Sequence, residues 1–350
     1  MNEFVILVFF KNLMQRKIYI FIISITLLPS CMNEPYLEPN TFKGNFEALW
    51  KIIDTRYCYL DYKHINWDSI HLKYATRVDT VKNQFAFFDL MGNMLAELKD
   101  GHVNLYSDFN RSRYWKWYTD YPANFNSSLI YNSRYLSNNY LIASDFRYAK
   151  ISESKIGYIY YDSFSAAFSD TNMAYIMTYF ADCKALIIDV RNNGGGSLES
   201  SRQLASYFFK TETVTGYIRH KTGDGHSDFS LPIELKTPAD KNIQWQRPVA
   251  VLTNRLSFSA TNDFVNRMKQ APNAIIVGDK TGGGGGLPLS SELPNGWLVR
   301  FSSSPMYDAS MQDTEWGIEP SFRDSIKVAD QAKGIDTIIE RAIAQLKLKY

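Results

Sequence analysis

Apolar residues change their spacing as the chain proceeds. Residues 18–28 (IYIFIISITLL) are almost wholly apolar, a run shorter than the roughly 20 residues that cross a bilayer. Further on, Phe46, Leu49, Trp50 and Ile53 stand at i, i+3, i+4 and i+7, and Phe85, Phe88, Met91, Leu95 and Leu98 form a second stripe. This spacing predicts a small helical unit over residues 42–102. Residues 103–150 are rich in aromatic and polar side chains with brief strand-like runs such as Tyr140–Ile142, and predict a connecting β or irregular segment. From 151 onward short apolar runs recur at Ile156–Tyr161, Ala185–Val190, Pro248–Thr253 and Ala274–Gly278, each ended by polar or Gly-rich residues. Helical stretches are expected at 198–209, 258–269 and 335–346, with a two-stranded element around Asn295-Gly296. This alternation predicts an α/β domain with a largely parallel sheet over residues 151–350.

Composition narrows the class. With 350 residues and 45% of them hydrophobic, the chain has ample material for a buried core and is not a disordered protein. Lys+Arg number 38 against 36 Asp+Glu, and no basic stripe interleaves with aromatics, so nucleic acid is not expected as a partner. Cys31, Cys58 and Cys183 share no ligand spacing with one another or with the five histidines. Neither a metal site, nor a cofactor, nor a disulfide framework is expected, and Cys58 and Cys183 should be unpaired.

The apolar run at 18–28 is preceded by Arg16-Lys17 and followed by Pro29-Ser30-Cys31, the layout of a secretory signal over residues 1–30. Met14 stands at a more usual distance from the run than Met1 does. A small residue directly before cysteine resembles a bacterial lipoprotein box. Cys31 would then carry the lipid, residues 31–41 would form a tether, and the protein would sit in a bacterial cell envelope. Losing Lys11, Arg16, Lys17 and Glu3 with the signal leaves 38 − 3 = 35 basic and 36 − 1 = 35 acidic groups.

Loops after strands carry function in such sheets. Gly194-Gly195-Gly196 follows Val190-Arg191-Asn192-Asn193; it is either a tight turn or a nest of N–H groups for negative charge. Ser257 and Ser259 lie where a strand gives way to a helix, a place that suits an activated hydroxyl but that spacing alone assigns rather to an N-cap. Gly282 to Gly286 is either a flexible loop or backbone that must approach a substrate closely. A serine nucleophile needs a base. His64, His71, His220 and His226 lie on polar stretches and read as surface residues, whereas His102 follows Lys99-Asp100-Gly101 at the end of an apolar helix.

These segments, together with Ile187-Ile188-Asp189-Val190, Gly278-Asp279-Lys280-Thr281, Gly317-Ile318-Glu319-Pro320 and Gly334-Ile335-Asp336, resemble in content and order the tail-specific (C-terminal-processing) serine peptidases. The resemblance covers most of residues 85–347. It implies a ClpP/crotonase-like spiral α/β core with a small N-terminal helical domain. It implies Ser259 as nucleophile, an oxyanion hole formed by Gly194 and Gly195 with the N–H of Ala260, and a substrate cleft along Gly282, Gly283 and Gly284. In the better-known branch a lysine at the position of Gly284 acts as base; here it is absent. The tricorn-like branch uses a histidine at the position of His102, which implies a Ser–His enzyme with Glu315 as the supporting carboxylate. The 48 residues from 103 to 150 are too few for the PDZ domain that many members insert.

Two functions are compatible with this pattern. One is a lipid-anchored serine endopeptidase acting on peptides or unfolded protein, with activity rising through the ordinary histidine pKa of about 6.5. The other is an inactive lipoprotein that holds a peptide or other ligand in the same cleft. An acyl-CoA enzyme is disfavoured because no basic cluster for nucleotide phosphates is evident.

Overall fold

The computed structural model describes residues 38–350. The signal segment 1–30 and Cys31 lie outside the described residues. Three helices come first: α1 (Phe42–Arg56), α2 (Trp67–Val78) and α3 (Gln84–Ala96), capped by the side chains of Thr41, Asn66 and Asn83. Each cap accepts an N–H that the first turn leaves without an intrahelical partner. The connecting segment holds β1 (Asn104–Tyr106), β2 (Arg111–Arg113), α4 (Lys116–Thr119), α5 (Ser127–Ile130), β3 (Leu141–Ala143) and β4 (Phe146–Ile151). Then come β5 (Ile156–Tyr160), α6 (Asp170–Tyr179), β6 (Ala185–Asp189), α7 (Leu198–Ser206), β7 (Thr213–Ile218), β8 (Ile233–Thr237), β9 (Val249–Thr253), α8 (Ala260–Met268) and β10 (Ala274–Gly278). The chain ends with β11 (Gly286–Glu292), β12 (Leu298–Asp308), β13 (Phe322–Arg323), α9 (Val328–Gln331) and α10 (Thr337–Lys347).

The strands form two sheets, ordered β13-β10-β9-β6-β5-β4-β3 and β2-β1-β12-β7-β8, with β11 also on β12. In the first, β5, β6, β9, β10 and β13 run parallel. The central strands read as unbroken apolar runs because both faces are covered. Leu186, Ile188, Val249 and Val251 pack with α6, α7 and α8 on one side, while Ala185, Ile187, Ala250 and Leu252 pack with α10 on the other.

The helical unit buries its stripe against the second sheet, sharing a core with Leu105, Trp297, Val299 and Phe301. One expected stripe residue is misplaced: Phe85 is 56% exposed, and the buried face of α3 runs through Phe87, Phe88, Met91, Met94 and Leu95. Its ring meets Phe109 edge-on at 4.9 Å instead. The architecture is the α/β core with a small N-terminal helical region that the resemblance implies, and no PDZ-type domain stands among the described residues.

Candidate active site

Ser259 closes the turn between β9 and α8. It occupies the N-cap position, but its side chain makes no cap hydrogen bond and its backbone sits at φ 60°, ψ −121°. That conformation costs a non-glycine residue about 1–3 kcal/mol and persists only where the surroundings impose it. They do so here: the Ser259 N–H donates to Gly283 O (2.9 Å), and Gly195 packs so closely that a Cβ there would meet Phe258 O at 2.6 Å and Ser259 Cβ at 2.8 Å. Ser257, by contrast, is buried and spends its hydroxyl on Val190 O at 2.8 Å.

His102 reaches the same point from the helical side. Its Nε2 lies 2.9 Å from Ser259 Oγ. The ring rests on Phe258 (4.7 Å), which in turn stacks on Trp117 (4.2 Å). Nδ1 has no hydrogen-bond partner of normal geometry among the described residues, although the Gly286 backbone approaches the ring. Burial lowers the imidazole pKa to about 4, aided by the charges of Arg300 and Lys63 and opposed by Asp100. The His102 ring is therefore held neutral at neutral pH, with its titration below the value of about 6.5 expected from sequence.

Behind His102 lies a buried polar cluster. The His102 backbone N–H donates to Asp100 Oδ1 (2.7 Å), while Asp100 Oδ2 accepts from Tyr57 (2.9 Å) and Ser302 (3.0 Å) and lies 3.6 Å from Lys63 Nζ. Lys63 donates at 2.6 Å to Glu315 Oε1, whose Oε2 accepts the Gly285 N–H at 3.1 Å. Glu315 thus makes no hydrogen bond with His102; two groups, Lys63 and Asp100, stand between them. Burial raises the Glu315 pKa to about 8, with Asp100 adding to the rise and Lys63 opposing it. Asp100, despite its burial, is held below the usual carboxylate value by Lys63 and His102. Nearby, burial raises Asp313 to about 7.

The two glycine loops are built by contact, not by slack. Gly195 and Gly196 have φ of 97° and 145°, and a Cβ on Gly196 would lie 2.3 Å from Phe164 C. The Gly195 N–H is already committed to Asn193 Oδ1 (3.0 Å), so it is not available to an oxyanion in this geometry. The N–H groups of Gly194 and Ala260 have no acceptor among the described residues. In the second loop Gly283 faces Glu315 O, and Gly284 at φ 73° leaves its Cβ position to the Phe258 ring, 2.5 Å away. The aromatic ring fills the place from which a lysine would project. A cavity of about 300 Å³ holds Ser259 and is walled by Leu198, Leu287, Pro288 and Met306, with Gly284 and Arg300 also on its surface. Gly282 lies elsewhere, against Arg255 O and the Trp117 ring, and Gly283 does not line this cavity.

Lys280 and two histidines of the polar stretches are engaged elsewhere. Lys280 pairs with Glu319 at 3.3 Å, His71 with Glu47 at 2.9 Å and His226 with Asp54 at 2.8 Å. Cys58 and Cys183 are buried free thiols. Among the described residues no three His, Cys, Asp or Glu side chains gather as metal ligands. Sequence reasoning missed Tyr57, Lys63 and Ser302, each an unremarked residue in a polar or mixed stretch.

Family models place these elements among known proteins. The model for peptidase family S41 matches residues 155–323, and that for the tricorn protease C1 domain matches residues 38–96. The crystal structure of a putative peptidase from Parabacteroides merdae is 49% identical, covering 86% of this chain and 95% of that one with a TM-score of 0.83. The chain belongs to peptidase family S41. This S41 member is 26% identical over 178 residues to the carboxy-terminal processing protease CtpB of Bacillus subtilis, 49% of this chain and 35% of that protein. It is 30% identical over 121 residues to a probable CtpA-like serine protease of Staphylococcus saprophyticus, 34% of this chain and 23% of that one. The S41 chain therefore spans about a quarter to a third of the length of the curated relatives it matches.

Proposed function

We propose that the protein is a serine peptidase acting on peptides or unfolded protein, held at the bacterial envelope by a lipid on Cys31. The observation that carries the peptidase reading is the 2.9 Å contact between a neutral buried imidazole and a serine held at positive φ. Ser259 Oγ attacks the substrate carbonyl carbon as His102 Nε2 takes its proton. The N–H groups of Ala260 and Gly194, which have no acceptor among the described residues, receive the oxyanion. His102 returns the proton to the leaving amine, and water then cleaves the acyl-enzyme by the same route. The chain Glu315–Lys63–Asp100 fixes the His102 backbone and so sets the ring against the serine.

A fluorophosphonate probe tests this reading. Wild-type protein should be labelled on Ser259 and should hydrolyse an unfolded protein, while Ser259→Ala and His102→Ala take no label. A wild type inert to both sinks it in favour of a binding lipoprotein. The anchor rests on the order Arg16-Lys17, apolar run, Ser30-Cys31. Mass spectrometry of the mature protein should find Cys31 lipidated and N-terminal; an unmodified peptide crossing Ser30-Cys31 speaks against it.

A further inference from the structure

Three exposed phenylalanines, Phe42 (36%), Phe85 (56%) and Phe109 (36%), stand together on the helical unit. Phe42 stacks on Phe87 at 4.6 Å and Phe85 meets Phe109 edge-on at 4.9 Å, while Phe87 and Phe109 pack on the buried Trp297 at 5.9 and 5.8 Å. The rings therefore form one continuous patch, held in place from beneath. With a phenylalanine carrying roughly 200 Å² of surface, the three leave about 250 Å² in water. A stable dimer needs about 800 Å² from each partner, so the patch is too small for a second copy of the chain.

An amide-rich hollow of about 360 Å³, lined by Asn40, Thr41, Asn45, Gln84 and Asn295, borders Phe42 and Trp297. The exposed charges nearest in the chain, Lys43, Lys82, Arg111, Asp89 and Asp108, are of both signs. Phe42 opens α1 and follows Cys31 by 11 residues. At full stretch that segment spans about 40 Å, less than the roughly 50 Å width of a domain this size. The end of the molecule that carries the patch is thus the end the tether draws toward the lipid.

We propose that the Phe42–Phe85–Phe109 patch dips into the leaflet that holds the Cys31 lipid, so that the anchored protein lies with its helical unit on the membrane. The inference rests on the anchor reading above. A tether alone leaves the protein free to turn, whereas aromatic rings that leave water for the headgroup and acyl boundary fix one face downward. The amide hollow beside them meets the headgroup layer, where neutral polar groups stay hydrogen-bonded. Because the surrounding charges are mixed, the contact is apolar and requires no anionic lipid. One orientation also holds the Ser259 cavity at one height above the leaflet.

Bromolipid quenching on the mature lipidated protein tests the proposal. Cys58 and Cys183 are buried, so an added surface cysteine takes the label. In phosphatidylcholine vesicles with brominated acyl chains, a bimane on Phe85→Cys or on Gln84→Cys should lose about half its emission or more. The loss should be the same at about 0.05 M and about 0.5 M salt. A bimane on Leu348→Cys, exposed beyond α10 against the other sheet, should keep its emission. Adding Phe42→Ser and Phe109→Ser to Gln84→Cys should cut the quenching severalfold; unchanged quenching would show that the rings do not carry the contact. The two label positions keep the test open where one variant fails to fold. Protein that floats with the vesicles while both labels stay unquenched overturns the proposal and leaves the anchor standing, and protein that does not float refutes both. A label shielded equally without vesicles points to a second copy or to residues 18–28 as the occupant and overturns it as well.

Discussion

Two buried clusters hold one cation between two carboxylates, and they are put to different uses. In one, Arg191 directs Nε and Nη2 at Asp189 and Nη1 at Asp336, with all three side chains fully buried. Asp189 also accepts from Tyr158, and Asp336 caps α10 through the N–H groups of Ile338 and Ile339. In the other, Lys63 sits between Asp100 and Glu315. The guanidinium fork serves both of its carboxylates with separate N–H groups. The ammonium is a point charge: it lies 2.6 Å from Glu315 and 3.6 Å from Asp100, and Asp100 takes its remaining donors from Tyr57, Ser302 and the His102 backbone. Glu315 has only Lys63 and one backbone N–H, and burial leaves it titrating at about 8. The arginine cluster locks strands to a helix, whereas the lysine cluster retains an exchangeable proton behind the histidine.

The strongest way to sharpen this contrast is at the end of the lysine cluster. Ser259→Ala and His102→Ala should each reduce kcat by about 10⁴-fold or more, and the double variant should lose little beyond either. Additive losses in single-turnover assays would show that the two do not act as a unit. Next in size is Arg191→Met, which leaves Asp189 and Asp336 buried without a cation and should cost about 3–5 kcal/mol in urea unfolding. A near-neutral result breaks the structural half of the comparison.

A direct contrast comes from neutralising one acid in each cluster. Asp336→Asn should cost about 1.5–3 kcal/mol at pH 7, because a charged acceptor is lost, while Glu315→Gln, already largely protonated there, should cost less than about 1 kcal/mol. The reverse order of melting temperatures would refute the assignment. The folded state holds the Glu315 proton more tightly than the unfolded chain does, so raising pH from about 4.5 through about 8 removes stability. Glu315→Gln should flatten that decline. His102 has the opposite sign: with its pKa near 4 it contributes stability that is complete above about 6.5 and lost as pH falls through 4. The smallest effect is a displacement of the acid limb of kcat/KM, expected near pH 4 and not near 6.5.

The parallel strands were legible because Ile156–Tyr160, Ala185–Asp189, Val249–Thr253 and Ala274–Gly278 are buried on both faces and bounded by polar turns. β7 and β8 were not, since Thr213–Ile218 and Ile233–Thr237 mix polar with apolar residues and their pairing depends on β12. At the site, Ser259 and His102 stood in recognisable stretches. Lys63 did not: it lies in Asp61-Tyr62-Lys63-His64, and only packing between distant segments makes its side chain 2% exposed. The Phe258 ring that occupies the space over Gly284 was equally invisible, because the clash is between loops.

The helical unit shares its core with Trp297, Val299 and Phe301, and Asp100 is joined to Ser302 across 202 residues. Closing so long a loop is entropically slow and is rewarded only when both ends are present. During synthesis α1 to α3 therefore emerge before the surface they need, and His102 is set beside Ser259 only after β12 has formed. On the peptidase reading, assembly order acts as a safety catch: while the strands between them are still unfolded, the proposed catalytic pair is not yet assembled.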